Sequence, residues 1–299
     1  MQMRPLYIPK SVFLLMIGIS FYGTLNAQNV FEEKGNGHIE LNGSTTHFNS
    51  VYDNDGQKKP VPTASSTILE LNACYGFSKY WNALLHAPVL VQNKAEATAG
   101  FSRSASQSYS GTGDCEIGIR FGIPEKNHVR SAINFYEGLG PGKNNRENGL
   151  NTGYGDFNQR LTIESTYKKS ENWFIQAMVG FNNHNKGFGD EGLAEIKIGG
   201  LFYKKVWLIG KCGGVQPLEN GDKDKLIRQK DPYKTEGLFY GLYSQDGGQW
   251  HYGAELKIQV LKNIGISAGF TGFLKGQYYP HSGIWNCSLY YDLKNKKTE

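Results

Sequence analysis

The chain has 299 residues, with 32 Lys and Arg against 27 Asp and Glu, 39% hydrophobic and 13% aromatic residues, and 38 glycines. The basic excess is small and scattered, which excludes the clustered basic face that a nucleic-acid partner needs. Beyond residue 27 there is no run of about 18 apolar residues, which excludes a transmembrane helix.

The first 27 residues read as a secretory signal peptide. Arg4 and Lys10 form a basic n-region, Val12–Phe21 an apolar h-region, and Leu25-Asn26-Ala27 precedes a cut ahead of Gln28. A non-cleaved anchor is the alternative. No Cys follows the cut, so a lipid anchor is not indicated. Removing Arg4 and Lys10 leaves 30 basic against 27 acidic residues. Residues 28–299 then form one domain.

After a polar lead-in, Gly37–Phe48 is the first expected strand, with Ile39 and Leu41 on one face. Residues 51–65 read as a loop, because Pro60 and Pro62 interrupt it and Asp53–Gly56 is a turn. Asp53, Asn54 and Asp55 lack the remaining ligands of a calcium loop. Ser66–Phe77 alternates, with Leu69, Leu71, Ala73 and Tyr75 on its apolar side and Glu70, Asn72 and Cys74 opposite. Tyr80–Val91 follows, broken by Pro88, a residue that belongs at an edge, end or bulge. Gln92–Thr112, rich in Ser, Ala and Gly, reads as a long loop.

Gly113–Ile123 shows the pattern most plainly. Cys115, Ile117, Ile119, Phe121 and Ile123 share one face; Asp114, Glu116, Gly118, Arg120 and Gly122 share the other. Pro124–Asn127 is a tight turn and Val129–Glu137 the next strand, with Ile133 and Phe135 opposite Arg130 and Asn134. The glycine-rich segment Gly138–Gly155 matches neither phosphate-binding pattern. Asp156–Tyr167, Trp173–Asn182 and Gly192–Tyr203 alternate in the same way, whereas the two faces of Lys205–Gly214 are poorly distinguished. Gln216–Gln245 is a long charged loop in which Gly237–Tyr243 could form a short strand. Gln249–Leu261, Ile264–Leu274 and Ser282–Leu293 close the series.

About twelve strands result, with short and long connections alternating. Strands of about 9–11 residues, an even count and one apolar face match an antiparallel transmembrane β-barrel with short periplasmic turns and long extracellular loops. The expected location is the outer membrane of a Gram-negative bacterium. No repeat of 20–50 residues recurs, which disfavours a propeller or solenoid. Cys74, Cys115, Cys212 and Cys287 fall on different faces and read as unpaired thiols.

The stretch SGTGDCEIGIRFGI resembles a strand motif of a bacterial outer-membrane family named for the meta-pathway of phenol degradation and described as transporter-like. The resemblance extends to ACYGFSKYWNALLHAPV, TGYGDFNQRLTIEST, GFNNHNKGFGDE and the closing strands. It implies a barrel related to long-chain fatty-acid channels that carries small, mostly hydrophobic molecules. It implies no catalytic residue. The chain departs from the usual barrel end, since Lys294–Glu299 extends past the terminal aromatic residue.

Parity places Glu70, Asn72, Glu116, Arg120, Arg130, Asn158, Arg160, Glu164, Gln176, Glu195, Lys197, Glu255 and Lys257 toward the lumen. Two readings stand. They form a polar pathway that selects cargo, or an ion-paired plug that fills a narrow interior. Glu116 and Glu164 could do acid–base work, but ion pairs with Arg120 and Arg160 account for them. No G-x-S-x-G occurs and His251 is the one histidine placed firmly within a strand, so an outer-membrane lipid hydrolase is disfavoured. The expected activity is passive uptake of small, largely hydrophobic molecules. The alternative is a structural or export-accessory barrel, for instance for surface polysaccharide. No cofactor, metal or nucleic acid is expected; outer-membrane lipid, a small hydrophobic solute and the barrel-assembly machinery are the expected partners.

Overall fold

The computed structural model describes residues 32–53, 55–96, 106–143, 150–185, 189–218, 247–277 and 279–294. The signal-peptide segment and Gly237–Tyr243 lie outside the described residues. The strands are β1 (Gly37–Tyr52), β2 (Lys58–Gly76), β3 (Trp81–Ala95), β4 (Gln107–Gly111), β5 (Cys115–Lys126), β6 (Val129–Leu139), β7 (Asn158–Ser170), β8 (Trp173–His184), β9 (Glu191–Phe202), β10 (Val206–Pro217), β11 (Gly248–Gln259), β12 (Ile264–Gln277) and β13 (Ile284–Leu293). All ladders are antiparallel; chain neighbours pair except β4 and β5, which both pair with β3, and β1 pairs with β13 from Gly37↔Leu293 to Thr46↔Ile284. That last ladder closes the sheet and leaves no long edge.

The barrel has twelve staves, because β4 and β5 share one. β3 pairs with β5 from Trp81 to His86 and with β4 from Val91 to Ala95. Pro88 sits at the changeover, beside a bulge opposite Leu69 and Glu70. The ladder is bridged there by a hydrogen bond from Gly113 N to Pro88 O, 2.8 Å. A Cβ on Gly113 would lie 2.7 Å from Pro88 Cβ, so glycine allows the two strands to touch at the break.

Three segments read as turns or loops are strand. Pro60 and Pro62 lie in β2, where Lys58, Lys59 and Pro60 pair with β1 alone and Pro62 falls in the register shift that follows; a proline at such an edge or irregularity costs no ladder bond. The expected loop Gln92–Thr112 contains the end of β3 and all of β4. Pro124 belongs to β5, and the turn itself is Asn127-His128, both left-handed with φ of 52° and 64°. A two-residue turn of that hand matches the twist of the strands it joins.

The outward faces are apolar and exposed: Ile117, Ile119, Ile133, Phe135, Leu161, Ile163, Ile196 and Ile198 among them. The opposite faces carry buried polar residues, including Asn82, Glu116, Asn134, Thr162 and Glu164. Such an inversion of a soluble protein's burial pattern suits lipid outside and a polar interior within. Both described chain ends and all five short turns lie at one end; the six long connections lie at the other. All four cysteines are free, with Cys74 on the inner face.

Candidate channel interior

Around the inner wall the side chains form ladders that register dictates. Arg120, Asn134 and Thr162 are aligned across β5, β6 and β7. Arg120 Nε donates to Asn134 Oδ1 at 2.6 Å, Asn134 Nδ2 donates to Thr162 Oγ1 at 2.9 Å, and Arg120 reaches Glu164 at 3.1 Å. One level toward the loop end, Arg160 Nη2 pairs with Glu116 Oε2 at 2.6 Å while its guanidinium lies 4.3 Å from the Tyr136 ring centre. Gly118 makes room for that ring: a Cβ there would lie 2.8 Å from Tyr136 Cδ1 and 2.5 Å from Phe135 O.

On β1, β2 and β3, Asn42 donates to Glu70 at 2.9 Å and His86 Nδ1 lies 2.7 Å from Asn72 Oδ1. On β9 to β11, Glu195 holds Lys197 at 3.0 Å and His251 at 3.3 Å. Lys257 Nζ stands 4.1 Å from the Tyr290 ring centre. Glu255 lies opposite Ile209 and Gly269, near the Lys197 and Lys211 ammonium groups. Asn158 donates to Asn182 at 2.9 Å at the loop end, and Arg130 binds Glu125 at 2.6 Å at the short-turn rim. Arg120, Glu164, Gln176, Lys197 and Lys257 converge on one cavity of about 300 Å³, whose walls come from eight strands around the ring.

Sequence parity alone left several of its walls unnamed. His38, Glu40, Tyr290 and Asp292 line it too, with His38 Nδ1 2.6 Å from Asp292 Oδ1. Their signal was present, since Ile39, Leu41, Leu289 and Tyr291 define the outer face of the same strands. The segment before β1 also enters. Glu32 N donates to Asn82 Oδ1 at 2.9 Å and Asn82 Nδ2 donates back to Glu32 O at 2.8 Å. Gly76 lets this segment lie against the wall, because a Cβ there would collide with the Glu33 carbonyl. Burial raises the Glu32 carboxyl, against the pull of His38 and Arg120.

The opposite mouth is narrowed by the β6–β7 connection. Leu150 is fully buried among Phe48, Val51, Val61, Ala64 and Ala95. Asp114 receives backbone N–H groups of Gly142, Tyr154 and Gly155, pinning both arms of that connection; burial pushes its carboxyl up and these amides pull it back. Beyond Phe181, where the apolar band of β8 ends, His184 lies between Asp156 at 3.1 Å and Glu191 at 3.4 Å. Burial disfavours its charge, but the two carboxylates outweigh it and raise its pKa to about 9.

A twelve-stave closed barrel, apolar outside and charged within, is the architecture of an outer-membrane β-barrel. Its fold is shared with the COG4313 outer membrane channel from Pseudomonas putida F1, at a TM-score of 0.65 over 90% of this chain and 99% of that one, with 13% identity. A NanC porin aligns over 85% of this chain and 98% of its own at 5% identity and a TM-score of 0.49. A TodX monoaromatic hydrocarbon channel mutant aligns over 89% and 92% at 10% identity and 0.42. No protein-family model matches the sequence, and no curated protein matches it.

Proposed function

We propose that this barrel is a passive outer-membrane channel for small, largely hydrophobic molecules, delivered to the membrane by a cleaved signal of residues 1–27 and inserted by the barrel-assembly machinery. The observation that carries the reading is the cavity of about 300 Å³ lined by eight strands of a closed barrel. At the loop end Phe48, Val51 and Val61 are buried against Leu150, and at the turn end Phe174, Trp207 and Ile209 pack on one another, so packed apolar side chains narrow the interior at both ends. The ion-paired waist between them, Arg120–Glu164 and Arg160–Glu116, restricts passage to small solutes and resists bulk flow of large polar ones. Its charges are largely matched, so the waist carries little net field to reject a neutral solute.

The test is influx into liposomes holding the purified protein. A small aromatic solute is to enter faster than into protein-free liposomes, while a large polar dye is retained. Equal rates with and without protein would end the transport reading. Selective binding of polysaccharide with no solute influx would replace it with the export-accessory one.

A further inference from the structure

The two ends of the barrel differ in charge. The five short connections with the strand ends beside them, residues 77–80, 124–128, 168–172, 203–205 and 260–263, hold seven lysines and two glutamates. Both glutamates are engaged within the turn end: Glu125 with Arg130 at 2.6 Å and Glu171 with Lys168 at 2.7 Å. Each turn carries an exposed lysine: Lys79, Lys126, Lys169, Lys204 and Lys262. The six long connections at the other end, residues 53–57, 96–114, 140–157, 185–190, 218–247 and 278–283, hold nine basic and thirteen acidic residues.

These lysines sit just beyond an aromatic band. Trp81 packs on Phe121 with ring centres 5.0 Å apart, Tyr167 on Trp173 at 5.5 Å, and Tyr203 is 93% exposed at the tip of its turn. Aromatic rings of this kind lie at headgroup depth. The lysines therefore ring the barrel at or just past the phosphates of the leaflet at the turn end. A protein partner would engage one side or the tips of the turns; a band of charge on all five turns fits a ligand that surrounds the barrel.

We propose that this ring is a binding surface for anionic phospholipid headgroups of the periplasmic leaflet, with the lysine ammonium groups contacting the phosphodiester. A lysine near an anionic membrane surface contributes about 1 kcal/mol, roughly fivefold in affinity. Several acting together produce a clear preference for a net-negative lipid over a zwitterionic one, and salt weakens it.

The protein purified from outer membranes is exposed to equimolar phosphatidylglycerol and phosphatidylcholine with identical acyl chains, and bound lipid is counted by native mass spectrometry. Retention of phosphatidylglycerol is expected to exceed that of phosphatidylcholine by about tenfold. The variant K79Q/K126Q/K169Q/K204Q/K262Q is to approach parity, while the matching lysine-to-arginine variant keeps the preference. Heat-modifiable gel migration establishes that both variants are folded. Equal retention by the unaltered protein, or full preference in the glutamine variant, overturns the proposal. So does displacement of the lipid by inorganic phosphate or by polyglutamate, since either marks a site for a free anion or an acidic protein.

Discussion

Arg160 on β7 reaches past β6 to Glu116 on β5, 2.6 Å from nitrogen to oxygen, and lays its guanidinium over Tyr136 on the strand between. One salt bridge thereby ties three staves on the inner wall. Glu116 is 8% exposed, so removing its partner leaves a carboxylate short of solvent.

Arg160→Gln and Glu116→Gln are each expected to destabilise the barrel by about 1–3 kcal/mol, with the double variant costing less than the sum. Denaturant titration followed by gel migration measures the cycle. Strict additivity would mean that the pair carries no coupling.

Ile119→Arg points a guanidinium at lipid and should cost about 2–4 kcal/mol at mid-bilayer. Gly118→Ser, the inward neighbour, is not a mild control: its Cβ would meet the Tyr136 ring at 2.8 Å. Gln176→Ser, at the cavity wall, is the suitable control and should assemble normally. Equal assembly of Ile119→Arg and Gln176→Ser in a heat-modifiability assay would reverse the faces.

Most of the faces were legible because lipid and lumen impose opposite polarity on alternate residues. The reading failed where that contrast is absent. On β10, Trp207 and Ile209 are 1% and 3% exposed, buried on the inner face against Phe174, so both sides of the strand look apolar in sequence. Pro60 and Pro62 misled for another reason. A proline breaks a strand where the ladder needs its N–H, and here Pro60 lies where only β1 is paired and Pro62 in a register shift. The mouth was not legible at all, since Leu150, Asp114 and His184 each find their partners through long connections whose path no local pattern encodes.

His184 gives a pH signature. Its folded pKa of about 9 lies above the ordinary histidine value of 6.5, so the stabilisation is fully present below about pH 6.5 and is lost as pH rises through 9. The thermal midpoint of the protein should fall across that window more steeply than that of His184→Gln. Parallel curves would show that Asp156 and Glu191 do not hold its proton.

Leu150→Ala should release the β6–β7 connection from the mouth, since a fully buried leucine loses about 2–5 kcal/mol on truncation. Limited proteolysis between residues 140 and 157 is to accelerate while the barrel itself stays heat-modifiable. Unchanged cleavage would place the anchoring in Asp114 instead.

The central claim is that a small solute crosses through the interior, past Arg120 and Lys257. The most direct measurement is influx of a small aromatic molecule into liposomes carrying either the unaltered protein or Gln176→Trp, which fills the cavity from β8. The account predicts rapid influx with the first, at least about tenfold slower influx with the second if the obstruction adds ~1.4 kcal/mol to the barrier, and equal folding of both. Influx that is unchanged when the cavity is filled would contradict it.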